Sequence, residues 1–415
     1  MTSQRPSGSR AAQAGTGPRS RVARRLSSVR RAQWIGWGGV GLGVLAFYIA
    51  LPPLLLRTPL PSLVLAFAGA AAGVAAIRAG ERRLGWGAVA AAVVGAAGAV
   101  AATLSGEANL ERVVVWSALG AAMLRFATPL TFAALGGVVS ERSGVVNIGL
   151  EGMMLVGAFF GIWGADVTGS WVGGLAVAMA AGGLLALVHA VFAVTLRADQ
   201  IVSGVALNIL ALGLTGYLFL DIYGADGTPG GIAEVPDISL PIGWIPVVGG
   251  TLERLNLLVW LGLLSVFITW LVIFRTALGL RLRSVGENPR AAETVGISVY
   301  RTRYLAVVTS GMLAATGGAF LSIGFVHSFS QNMTAGRGYI ALAAVIFGRW
   351  RPGGALAAAL LFGFSSALAQ RLPDFYPSAA TLLQALPYVL TLIAVAGVIG
   401  RSTPPAADGV SYKRG

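Results

Sequence analysis

Apolar runs recur along almost the whole chain, from Trp34–Leu56 near its start to Ala379–Ile399 near its end, separated by short polar segments. A helix needs roughly 20 apolar residues to cross a bilayer, and reading the runs against their breakers gives about twelve crossings. Composition agrees: 56% of residues are hydrophobic and only 11% charged, whereas soluble domains are about 25% charged. The expected fold is all-α, a polytopic membrane protein whose helices satisfy their own backbone groups in lipid. Two runs, Met153–Val167 and Tyr339–Phe347, are too short to cross. Their helices must extend into polar flanks or be broken within the membrane, which is tolerated where backbone lines a cavity.

The basic residues give an orientation. With the amino terminus inside, 24 of the 30 Lys and Arg fall in inside segments and 5 in outside ones, with Arg125 within a helix. Inside loops carry the positive excess, so both termini are expected to be cytoplasmic. Eight arginines lie between Arg5 and Arg31. Residues 1–33 therefore read as a disordered basic cytoplasmic tail beside anionic lipid, not as a nucleic-acid-binding segment. Residues 34–105 read as an extension with about three crossings, residues 106–400 as the main membrane core, and residues 401–415 as a second cytoplasmic tail. Inside the core, residues 275–303 form a long inner loop with a short amphipathic helix expected over Asn288–Val295.

Little catalytic equipment is present. The single lysine, Lys413, stands in the tail, the two histidines, His189 and His327, are far apart, and there is no cysteine. A P-loop lysine, a thiolate and a paired-histidine zinc site are all excluded. No metal, cofactor or catalytic residue is expected, and the protein is expected not to be an enzyme. Transport, conduction or a scaffold role remains.

Polar residues inside apolar helices are expensive, so each is a functional candidate. Asn147 and Glu151 are four apart, as on one helical face; Glu151 either bonds a solute or holds its helix start against a neighbour. Gln200, Gly204 and Asn208 recur at four-residue steps with Ser203 beside them, and Gln384, Tyr388 and Thr391 form a comparable stripe. Such amides either bond helix to helix or line a path for a neutral, hydroxyl-bearing solute. The polar cluster from His327 to Thr334 is either an outer mouth or a plain loop, while His189 suits packing better than proton relay.

Four segments carry a family likeness: RSGVVNIGLEGM from Arg142, RADQIVSGVALN from Arg197, SVGENPRAAETVGISVYRTRY from Ser284, and GRGYIALAAVIFG from Gly336. In this order they resemble the permease subunit of bacterial ABC importers of the nucleoside and simple-sugar type, from about Thr128 to the end. The resemblance implies a core of about ten helices, leaving two additional amino-terminal ones. It further implies a second, homologous permease as heterodimer partner, a cytoplasmic ABC ATPase and an extracytoplasmic substrate-binding lipoprotein. Residues 275–303 then hold the coupling helix seated on the ATPase, with Gly286, Glu287, Asn288, Arg290, Ala291, Ala292, Glu293 and Gly296 at matching positions. Asn288 can cap that helix, and the charged side chains can pair across an interface. The implied function is translocation of a nucleoside by alternating access. The alternatives are monosaccharide or branched-chain amino acid cargo on the same machinery, or an ion-coupled secondary transporter.

Overall fold

The computed structural model describes residues 18–49, 60–104, 116–245, 248–371 and 403–413. The last expected crossing, Ala379–Ile399, with Gln384, Tyr388 and Thr391, lies outside the described residues. The described chain is mostly helical, with one short ribbon and several irregular segments, consistent with a polytopic membrane protein, and eight of its helices are long and apolar enough to cross a bilayer. It divides into two units, residues 1–115 with 396–400 and residues 116–395 with 401–415.

The first unit contains α1 (Pro18–Ile49), α2 (Leu60–Arg78) and α3 (Arg82–Leu104), each packed on the other two. The buried stripe of α2, Ser62, Ala66, Gly69, Gly73 and Ala76, is made of small residues, which lets helix axes approach closely where no hydrophobic force joins them. Helix α1 begins at Pro18, inside the segment that the sequence reads as a basic tail. Proline at a first helical position sacrifices no hydrogen bond, and the Ala, Arg and Leu that follow favour helix.

The second unit carries α4 (Trp116–Glu141), α5 (Leu150–Thr168), α6 (Trp171–Ala190, continued by a π-turn over Val191–Thr195) and α7 (Gln200–Tyr223). Next come β1 (Asp237–Ser239), α8 (Val248–Leu252), β2 (Arg254–Asn256), α9 (Leu257–Arg275), α10 (Ala277–Glu287) and α11 (Pro289–Thr294). Finally there are α12 (Val299–Ala319, continued as π-helix over Phe320–Val326), α13 (Arg337–Phe347) and α14 (Pro352–Arg371). An arginine-rich end holds Arg142, α10 and α11, and the β1–β2 ribbon lies at the other end of α9, the helix that leads into α10. Helices α4, α5 and α12 form the centre, with apolar windows 72%, 78% and 78% buried, while α7 at 22% and α9 at 33% are peripheral.

The two short runs resolve differently. Met153–Val167 gains polar flanks and becomes the 19-residue α5. Tyr339–Phe347 gains only two residues; α13 has 11, about 16 Å of helix, half a hydrocarbon core, and the chain before it from His327 to Gly336 is irregular. The inner loop also differs, holding two helices where one was expected. The pattern of α10 was obscured because Leu278 and Leu280 are exposed while Gly279, Leu282, Val285 and Gly286 are buried.

Candidate functional site

Residues 142–149, between α4 and α5, are irregular yet mostly buried. Backbone groups in such a stretch need partners, because neither helix nor water supplies them. The polar residues expected in the solute path supply them. Val146 N donates to Gln200 Oε1 at 2.8 Å. Val146 O accepts from His189 Nε2 at 3.0 Å, which leaves His189 Nδ1 to accept from the Ser203 hydroxyl at 3.1 Å. Asn208 works in both directions: its Nδ2 donates to Ile148 O at 3.0 Å and its Oδ1 accepts from Gly152 N at 2.8 Å. The spacing of Gln200, Ser203, Gly204 and Asn208 is the buried stripe of α7.

Asn147 does not share a helical face with Glu151, as the four-residue spacing suggested, because it lies in the irregular stretch before α5. Its Nδ2 donates to Ser310 Oγ of α12 at 2.9 Å, and its buried Oδ1 has no partner.

Glu151, the second residue of α5, reaches the start of α13. One carboxylate oxygen accepts from the Thr334 hydroxyl at 2.6 Å and Gly336 N at 2.8 Å, and the other from Gly338 N at 2.5 Å. The membrane-length α5 and the half-length α13 thus begin at one carboxylate, where the positive ends of both helix dipoles favour negative charge. The approach demands glycine: a Cβ on Gly338 would lie 2.4 Å from Glu151 Cα, and Gly336 has φ +83°. Beside this lock the Tyr339 hydroxyl accepts from Asn208 Nδ2 at 3.0 Å, while Tyr339 remains 48% exposed. Of the outer polar cluster, Thr334 belongs to the lock and His327 pairs with Glu234 at 3.3 Å.

At the arginine-rich end, Glu141 accepts from Trp350 Nε1 at 2.5 Å and Arg142 Nε donates to Trp350 O at 2.9 Å. Burial holds the Arg142 guanidinium below its usual value, an effect that Glu287 partly offsets. Among the residues expected to couple, Asn288 caps α11 by accepting from Ala291 N at 3.1 Å. Arg290, Ala291 and Gly296 are exposed, and Ala292 is buried. Gly286 is buried, Glu287 accepts from Ala406 N at 3.3 Å, and Glu293 accepts from the Tyr412 hydroxyl. Those two carboxylates are bonded within the chain, where the sequence reading left them free to pair with a partner. Among the described residues no cluster of His, Asp or Glu is placed to hold a metal.

A family model described as the permease component of a branched-chain amino acid transport system matches residues 119–395. The chain belongs to this permease family. The guanosine ABC transporter permease protein NupQ of Bacillus subtilis is 43% identical to it over 74% of this chain and 99% of its own length. The nucleoside ABC transporter permease protein NupC of Lactococcus lactis is 42% identical over 70% and 95%. A protein of Haloferax volcanii, provisionally named a glucose ABC transporter permease, TsgC13, is 41% identical over 60% and 76%. The first two organisms each also hold a more distant relative, the permease proteins NupP at 28% and NupB at 27% identity. No solved structure matches the chain. The relatives are permease components, so the permease is a transport subunit and not an enzyme.

Sequence reasoning missed Ser310, Gly336, Gly338, Arg303 and Tyr412 of the permease, and it read Thr334 as part of an outer mouth or loop, not as a partner of Glu151. Gly336 and Gly338 were visible inside GRGYIALAAVIFG, but nothing in that segment named Glu151, 187 residues before Gly338, as the group they cradle.

Proposed function

We propose that the permease imports nucleosides across a bacterial plasma membrane. It alternates access together with a second, homologous permease, driven by a cytoplasmic ABC ATPase and supplied by an extracytoplasmic substrate-binding lipoprotein. The observation that carries this reading is the match to the guanosine permease over 99% of that protein's length. The paired relatives in the same two organisms support a heterodimer. The decisive experiment is ATP-dependent uptake of labelled guanosine by the assembled complex in vesicles. Uptake that collapses with an ionophore instead of with ATP removal favours ion coupling. Glucose is the second cargo to test, because a relative provisionally named as a glucose permease is 41% identical.

Within this reading Asn147, Glu151, Gln200, Ser203 and Asn208 shape the path, and the Asn208–Tyr339 pair is where the solute meets it. Tyr339 offers a half-exposed ring and hydroxyl to a base or ribose, and Gln200 Nε2 on the helix of Asn208 is a buried donor without a protein partner. Gln384 and Tyr388, outside the described residues, are read as further contacts along the same path. The exposed positions Asn288, Arg290, Ala291 and Gly296 face the ATPase. The full complement is twelve crossings with both termini cytoplasmic, and residues 34–105 are an extension of the family core. Reporter fusions at either terminus and in the Asp221–Arg254 segment check this sidedness; activity of a periplasmic reporter at a terminus refutes it.

A further inference from the structure

The segment 403–413 returns to the arginine-rich end and is held there at several points. Ala407 N donates to Gly286 O at 2.8 Å, Ala406 N to the Glu287 carboxylate at 3.3 Å, and the Tyr412 hydroxyl to Glu293. Val410 O accepts from Arg303 Nη1 at 3.0 Å. Tyr412 is only 6% exposed; it clusters with Val285, Ala292 and Val299 and meets the Tyr300 ring edge-on at 6.1 Å. Arg303, 1% exposed at the base of α12, also donates to Ser143 O at 3.2 Å. One buried guanidinium therefore joins the tail, the irregular 142–149 stretch and α12.

Helix α11 has six residues, too few to hold its own conformation in water. Its inward contacts are Ala292, in the cluster closed by Tyr412, and Glu293, bonded to the same tyrosine. Helix α10 is bonded to the tail at its last two residues, Gly286 and Glu287. Force applied to α11 from outside thus reaches α12 and the 142–149 stretch through the tail as well as through the chain.

We propose that residues 403–413 are a clasp that fixes the pose of α10 and α11 and thereby couples the ATPase to the membrane helices. This rests on the transport reading above for its partner, but the clasp itself is a property of the permease alone. Arg290, Ala291, Val295, Val410 and Lys413 stay exposed around it, so the surface offered to the ATPase is built from both segments.

The test compares the full chain with a chain ending at Ser402 and with Tyr412→Phe and Glu293→Gln, each assembled with the second permease and ATPase. Two quantities are read: amide exchange from Gly286 to Gly296, and nucleoside taken up per ATP hydrolysed. Truncation is expected to speed exchange about tenfold or more, the factor carried by one hydrogen bond to a charged group, and to lower uptake per ATP severalfold. Tyr412→Phe keeps the ring and loses the hydroxyl, so it falls between. Glu293→Gln keeps an acceptor for that hydroxyl but loses its charge assistance, so it also falls between, nearer the full chain than truncation. Unchanged exchange in the truncated chain overturns the clasp, and faster exchange with unchanged uptake per ATP overturns its coupling role. If the unaltered complex shows no ATP-driven uptake, the transport reading falls, and exchange alone still decides whether the clasp exists.

Discussion

Replacing Glu151 by Gln separates a structural lock from a solute contact. Three donors converge on its two carboxylate oxygens: the Thr334 hydroxyl, Gly336 N and Gly338 N. An amide has one acceptor oxygen. Turned toward Thr334 and Gly336, it sets its NH2 against Gly338 N–H, stranding a buried donor at about 1–3 kcal/mol, and the two remaining bonds lose their charge assistance at about 1 kcal/mol each. The sum is about 3–5 kcal/mol against the docked start of α13. Since each 1.4 kcal/mol is about tenfold, amides of residues 336–340 should exchange roughly two to four orders of magnitude faster in detergent-solubilised permease. Uptake should lose maximal rate more than apparent affinity. Glu151→Asp, one methylene too short for all three donors, should fall between. Unchanged exchange at 336–340 together with a raised KM would refute the lock and make Glu151 a contact residue.

Other consequences are equally specific. Gly338→Ala drives a Cβ to 2.4 Å from Glu151 Cα, so it should destabilise the solubilised protein by about 1–3 kcal/mol in thermal unfolding, whereas Gly353→Ala, with open space around its Cβ position, should not. Arg303→Met strands Ser143 O and Val410 O and should cost about 2–4 kcal/mol, read as faster exchange in both 142–149 and 403–413; a change confined to one segment contradicts the bridge. Burial pushes Asp408 up to about 7 from an ordinary 3.8, with the Gly409 amide and Arg303 opposing. A carboxyl with a raised folded value binds its proton more tightly when docked, so docking of the tail is strongest below about pH 4 and weakens as pH rises toward 7. Protection of 403–413, corrected for intrinsic exchange, should drop between about pH 4 and 7, and Asp408→Asn should flatten that slope; the same slope in the variant contradicts the assignment.

The sequence showed what periodicity and composition can show. Apolar runs located the long helices because a bilayer imposes one length on all of them, and four motifs located the family. The polar residues were found for a sound reason, their cost in an apolar helix, but their partners were invisible. Asn208 and Gly152, or Glu151 and Gly338, are brought together only by packing. The half-helix before Phe347 was legible as a run too short to cross, while the position of its start depended on a carboxylate from a distant segment. Helix α10 was hidden because two of its leucines face outward, and the clasp because a tail of small and polar residues carries no periodic signal at all.

The lock also sets an order of events during synthesis. Glu151 precedes Thr334 by 183 residues, about 10–40 s at ordinary elongation rates. Throughout that interval α5 must be held in or beside the membrane with its carboxylate lacking all three donors. Because Glu151 is only the second residue of its helix and follows an irregular stretch, it can remain hydrated while α6 to α12 are made. The recessed start of α5 is therefore a late-closing seam, and variants that slow the arrival of α13 should extend the time in which the unfinished chain is open to proteolysis.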